Sequence, residues 1–241
     1  FEDLKRFIPK TANDSLVIHS DLSVYGTDLL KYKDKLIETL FSETSYKSVY
    51  IPTFSYYNKQ AKSFSINDTP VKMGVLSKEA VEYVKNNRAF RIENPIHSYT
   101  GVGEIPKQFK NASKNRSFGE SSAFDFFYNI DAIWCCLGCD ISDGFTLFHH
   151  AEVISNVPYR KWIVLKRILQ KNNEKSYLNY HYFDKKENIF FDYEKVVSGL
   201  TREGALTTFP FGRAKGFIGS SKTIIDYLVK NLANDPYFLV K

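Results

Sequence analysis

Two short apolar runs separated by a helical stripe constrain this chain most: SLVIH at 15–19 and SVYIP at 48–52, with TDLLKYKDKLIETLF between them from Thr27. The runs are short and strand-like, whereas Leu29, Leu30, Tyr32, Leu36, Ile37 and Leu40 form a rough helical stripe behind Thr27 as a candidate N-cap. Strand, loop, helix, strand is the order of a βαβ-like unit, which places ligands at the carboxyl ends of its strands. The loop SDLSVYG, from Ser20 to Gly26, is small and polar enough to approach such a ligand.

Further along, SKEAVEYVKNN reads as a helix capped by Ser77, and Pro70 to Leu76 turns the chain into it. The segment RAFRIENPIHSYTGVG packs Arg91, His97 and Ser98 between apolar residues, a density that suggests the lining of a site. GESSAFDFF supplies a loop and a short helix, and 131–137 another strand. After Arg160, KWIVLKRIL, KSYLNYHYF and NIFFDY read as β-rich, with polar turns at KNNE and DKKE. The last part gives a strand and a terminal helix capped near Ser221. The expected fold is α/β, a mixed central sheet flanked by helices, with an added β-hairpin-rich lobe over 161–209 inside one domain spanning 1–241.

Composition narrows the class rather than the fold. With 241 residues, 43% hydrophobic and 25% charged, the chain can bury a sizeable core. It has no apolar run long enough for a bilayer, and its opening FEDLKRFIPK carries charges where a signal peptide needs an apolar core. A cytoplasmic protein without a membrane partner is expected. Cys135, Cys136 and Cys139 sit in one strand-like apolar segment, so buried reduced thiols are the better reading than a redox pair. Joining them to His149 and His150 as a zinc site lacks any standard ligand spacing, so no metal is expected. Charge and aromatics alone, with no motif or basic run, do not make a nucleic-acid-binding protein.

The chemistry concentrates in DISDGFTLFHHAE, where an apolar run gives way to a polar turn. In a helix, Thr146, His149 and either Glu152 or Val153 share one face. A hydroxyl, a base and its orienter would then meet at one helix start. His150 points away and packs, and Asp140 and Asp143 read as turn and cap residues.

Six blocks in register, HSDLSVYG, PTFSY, DTPVKMGVL, NPIHSYTGVG, SFGESSAF and TLFHHAE, resemble the aminoglycoside 3-N-acetyltransferase family over roughly the first two thirds of the chain. The resemblance implies an α/β fold of its own kind, acetyl-CoA or another acyl-CoA as co-substrate, and direct transfer of the acyl group to a sugar amine. It implies His149 as general base, within the pattern kept here as Thr146, His149, Ala151 and Glu152. It likewise implies His19, Ser20, Asp21, Leu22, Ser23 and Gly26 as the coenzyme A loop, and Thr53, Tyr56, His97 and Ser98 on the acceptor side. Asn94-Pro95 stands where the family often has His-Pro.

A base is needed because an amine at neutral pH arrives as ammonium. The dipole of a helix start would keep His149 neutral, and free backbone N–H groups there or in the Ser20 loop could stabilise the oxyanion. Glu152 could orient His149 or bind the substrate ammonium. Two acceptors fit: an aminoglycoside, or an amino sugar on a nucleotide diphosphate, as in O-antigen and other cell-surface polysaccharide synthesis. The net charge of +6 favours the anionic nucleotide-sugar. A non-enzymatic sugar- or nucleotide-binding module is the contrasting class, and the oligomeric state is left open, a homodimer included.

Overall fold

The computed structural model describes residues 14–24, 26, 35–55, 63–171 and 174–241. The Thr27 cap, the first half of the stripe behind it and Tyr56 therefore lie outside the described residues. β1 (Ser15–Ser20) runs parallel to both β2 (Ser48–Pro52) and β6 (Ile133–Leu137), with Leu16 level with Val49 and Ile133. β4 (Phe90–Arg91) and β5 (Tyr99–Gly103) extend the sheet antiparallel beyond β2, and β10 (Ala214–Ser220) and β9 (Thr207–Phe211) beyond β6. The seven strands lie in the order β4-β5-β2-β1-β6-β10-β9.

β1 needs apolar residues on both faces because both faces are covered. Leu16 and Ile18 pack with Leu36, Ile37 and Leu40 of α1 (Leu36–Glu43) and with Leu76 and Ala80 of α2 (Val75–Lys85). Val17 faces the other cluster, with Phe124 and Phe127 of α4 (Ala123–Asn129), which follows the short α3 (Lys107–Lys110). Ile224, Ile225 and Leu228 of the terminal helix α8 (Ser221–Asn234) join that second cluster. Among the described residues no helix is long and apolar enough to cross a membrane.

Some boundaries differ from the sequence reading. Helix α2 starts two residues early, with Gly74 as N-cap and Ser77 buried; a Cβ on Gly74 would lie 3.1 Å from the Ser20 carbonyl, so the entry packs against the β1 loop. The cap on α1 comes from far away, since Glu79 accepts from the Leu36 and Ile37 N–H groups at 3.2 Å each. The terminal helix α8 is capped near Ser221 as expected, by Ser220, which accepts from Thr223 N.

The β-rich lobe is shorter than expected. A second sheet consists of β3 (Ser63–Ser65) beside a long hairpin, β7 (Arg160–Lys171) and β8 (Glu174–Lys185). The NIFFDY segment contributes only a bridge from Phe191 to Val240, α7 (Tyr193–Arg202) follows under an Asp192 cap, and β9 belongs to the main sheet. The aromatics of NIFFDY suit a strand by propensity, but Phe191 is drawn against the His149 ring.

Arg91 shows how tightly this architecture is locked. It is 1% exposed and donates to Thr53 O, Ile66 O, Thr69 O and Ser98 Oγ, tying the β3 region to the main sheet. Burial lowers its pKa to about 10. Arg91→Lys, with a single ammonium in place of the fork, is expected to lower unfolding stability by about 2 kcal/mol or more, read as a lower urea midpoint at unchanged m-value.

Candidate functional site

Strand β6 delivers the chain to Gly138, whose φ of +72° suits glycine and whose Cβ, if present, would lie 2.4 Å from the Asp21 carbonyl. The Ser20 loop is thereby held against the end of β6, with Asp21 N donating to Leu137 O at 2.9 Å. Next come a short turn of helix, α5 (Ile141–Gly144), and then α6 (Phe148–Ile154). Trp134 Nε1 donates to Gly144 O at 2.9 Å and pins the turn to the strand. Asp140 is the N-cap of α5 through its carbonyl, without a side-chain cap.

On α6 the three-residue spacing brings His149 and Glu152 together. Nδ1 of His149 is 2.7 Å from Glu152 Oε2. An ionised carboxylate can only accept, so Nδ1 carries the proton and Nε2 holds the free lone pair. Among the described residues Nε2 has no hydrogen-bond partner. The pKa of His149 is lowered mainly by burial, partly offset by Glu152, which raises it, so the ring is held neutral. Burial, rather than the dipole of a seven-residue helix, is the main cause.

Glu152 is fully buried, and its remaining partner is Arg160 at the start of β7, with Nε 2.7 Å from the same Oε2 in a coulombic contact rather than an aligned hydrogen bond. Burial would raise the Glu152 pKa, but His149 and Arg160 outweigh it, and the carboxyl stays ionised. Arg160 Nη2 lies 3.0 Å from His149 Nδ1, and Nη1 donates to Phe183 O at 3.0 Å. Glu152 thus orients the imidazole and is closed to a substrate ammonium. Arg160 has no local sequence signal, since its partners lie across a turn; only the fold brings it in.

His97 completes the wall. Phe118 stands between it and His149, with ring centroids 5.1 and 5.5 Å away. Nδ1 of His97 is hydrogen-bonded to Ser117, which is bonded to Tyr180, which donates to Asn94 Oδ1 at 3.1 Å. Burial above all, with the Arg160 charge nearby, lowers the His97 pKa to about 3. Asn94 accepts from the Ile96 and His97 N–H groups, which makes it the organiser of this turn.

The other expected contacts are placed differently. Thr53 and Ser98 have no exposed surface and bond to each other and to Arg91, so they support the site from behind and do not line it. His19 is 1% exposed, with Nε2 3.0 Å from the Tyr99 hydroxyl and its ring stacked on Trp134; its pKa is lowered to about 3 by burial, and it is a supporting residue too. In the loop, Leu22 is buried, Ser20 is half-buried, and Asp21, Ser23 and Gly26 are exposed, with Ser23 N donating to Asp21 Oδ1. Thr146 contributes its carbonyl to His149 N at 3.1 Å, and its hydroxyl bonds to no described residue. His150 is buried, accepting from Gly119 N. Cys135 and Cys136 are buried with thiol pKa values pushed up by burial, and among the described residues no group of metal-ligating side chains assembles.

A mixed α/β sheet carries, at a helix following a central strand, a His-Glu-Arg cluster built on a buried carboxylate. The family model for aminoglycoside 3-N-acetyltransferase matches residues 19–233, and the chain belongs to that family of acetyl-CoA-dependent N-acetyltransferases. No curated protein matches the chain in sequence. Among solved structures it is similar to aminoglycoside acetyltransferase AAC-IIIb in a binary complex with CoASH, at 17% identity and TM-score 0.80 over 97% of this chain and 94% of that one. A histidine-to-alanine mutant of AAC(3)-IVa in complex with gentamicin matches at 18% and 0.71 over 93% and 83%. The YokD protein from Bacillus subtilis matches at 18% and 0.73 over 97% and 98%. At these identities the structural likeness establishes the fold.

Glu152→Gln removes the charge that raises the His149 pKa. The imidazole should therefore titrate at lower pH than in the wild type, read from the His149 ring signals by NMR; an upward shift would contradict the assigned coupling.

Proposed function

We propose that this protein transfers an acetyl group from acetyl-CoA to an amino group of an aminoglycoside-type polyamino sugar, with His149 as general base. The observation that carries the reading is the His149 imidazole, fixed at Nδ1 by Glu152 at 2.7 Å and unpartnered at Nε2, within a family of N-acetyltransferases. The preference for a nucleotide-linked sugar finds no support in the comparisons. It rested on the net charge of +6, which describes a whole chain and can equally serve an anionic donor. The family and the gentamicin complex of a structural relative favour the aminoglycoside acceptor.

The donor supplies an activated thioester carbonyl. The residues present suit it. The Ser20 loop stands beside Gly138 through Asp21 and Val24, and Gly138 also lines a cavity of about 920 Å³ shared with Cys139, Ser142, Tyr193 and Lys215. Such a volume accommodates an extended ligand arm. On the acceptor side, the ammonium first loses one proton to solvent; the free amine then attacks the thioester carbon as a second N–H proton passes to Nε2 of His149, the C–S bond breaks, and His149 returns that proton to the thiolate sulfur. Glu152 holds the ring in the tautomer that can accept, and Arg160 holds Glu152 in place. We read the chain as one domain, a view supported by a core cluster that takes in residues from Val17 to Leu239. A cytoplasmic location fits the use of acetyl-CoA.

Free-thiol release with acetyl-CoA, measured over aminoglycosides and nucleotide-linked amino sugars, tests the reading. Thiol release with aminoglycosides is expected, and His149→Ala should lower turnover by about 10²–10⁴-fold with acetyl-CoA affinity essentially unchanged. Near wild-type turnover in that variant would remove His149 as the base. No thiol release with any pair would favour a non-enzymatic binding module.

A further inference from the structure

We infer that Trp162, backed by Phe183, is the platform on which the acceptor's amino-sugar ring stacks; the inference rests on the acetyltransferase reading above. Side chains alternate along a strand, so Arg160 and Trp162 of β7 share one face, about 6.6 Å apart along the strand. Arg160 touches His149. Trp162 pairs directly with Phe183 across the hairpin, with ring centroids 4.7 Å apart at 38°. The Phe183 carbonyl accepts from Arg160, whose guanidinium lies 6.0 Å from the Phe183 ring. A chain of packed contacts therefore runs from the imidazole through Arg160 and Phe183 to the indole.

Exposure separates the two rings. Phe183 is 5% exposed and belongs to the core, whereas Trp162 is 45% exposed. An open indole beside a base offers its face to the C–H groups of a sugar ring and to a neighbouring ammonium, both attracted by the negative face of the π system. A second aromatic contact of His149 leads towards the cavity. Phe191, 5.6 Å from the His149 ring, stacks on Tyr193, which lines the 920 Å³ cavity next to Gly138 and the Ser20 loop. The Arg160 guanidinium lies between the two routes, 5.8 Å from the Phe191 ring and 6.0 Å from the Phe183 ring; in the proposal the donor follows Tyr193 and the cavity, and the acceptor lies over Trp162.

The chain holds two tryptophans, and the other, Trp134, is fully buried with its Nε1 bonded to Gly144 O. Acrylamide quenching of tryptophan fluorescence therefore reads Trp162. Gentamicin should protect the wild type saturably, and acetyl-CoA alone should not. Trp162→Ala should raise the gentamicin KM about three- to tenfold with the acetyl-CoA KM and kcat unchanged, and Trp162→Phe should restore most of the loss. An unchanged gentamicin KM in Trp162→Ala, protection by acetyl-CoA alone, or ligand-free protection that grows with protein concentration would each overturn the platform. Quenching needs no turnover, so a wild type that bound gentamicin but did not acetylate it would count against the catalytic reading and not against the platform.

Discussion

A buried carboxylate holds this site together. Glu152 has no exposed surface, and an ionised carboxyl in that position is costly unless opposite charge and hydrogen bonds meet it. Arg160 supplies the charge and His149 the N–H, both at 2.7 Å from one oxygen. The same contacts join helix α6 to strand β7, so the interaction that fixes the His149 imidazole also anchors the long hairpin to that helix.

Burial sets the protonation of the neighbouring histidines, and their partners set the differences. His19 and His97 are both driven to about 3, because an imidazolium in an aromatic enclosure would lose its hydration without gaining a carboxylate. His149 feels the same penalty, but Glu152 beside it works in the opposite direction and raises its pKa. Of the three it is the ring with a free nitrogen, a carboxylate partner and appreciable exposure, 28% of the side chain.

Aromatic packing explains both the rigidity of the core and the openness of the hairpin. Tyr50, Tyr99, Phe109, Phe124, Phe127 and Trp134 meet edge-to-face, tilted or stacked under the sheet, which accounts for much of the chain's aromatic content as core. The hairpin faces outward over part of its length, so Trp162 and Val164 stay exposed. That open face adjoins the His149 centre through Arg160 and Phe183.

The sequence by itself determined the elements whose signal is local. SLVIH, SVYIP and IWCCL are strands because continuous apolar runs suit a sheet covered on both faces, and His149 meets Glu152 because a helix places residues three apart on one face. The tertiary structure decided what depends on distant partners. Arg160 became part of the centre, Glu79 capped a helix 43 residues away, Arg91 turned inward, and Thr53 and Ser98 fell behind the wall they were expected to form. The physical reason is range: periodicity and capping act over a few residues, whereas burial of a charge is settled only when strands and helices far apart in the chain enclose it.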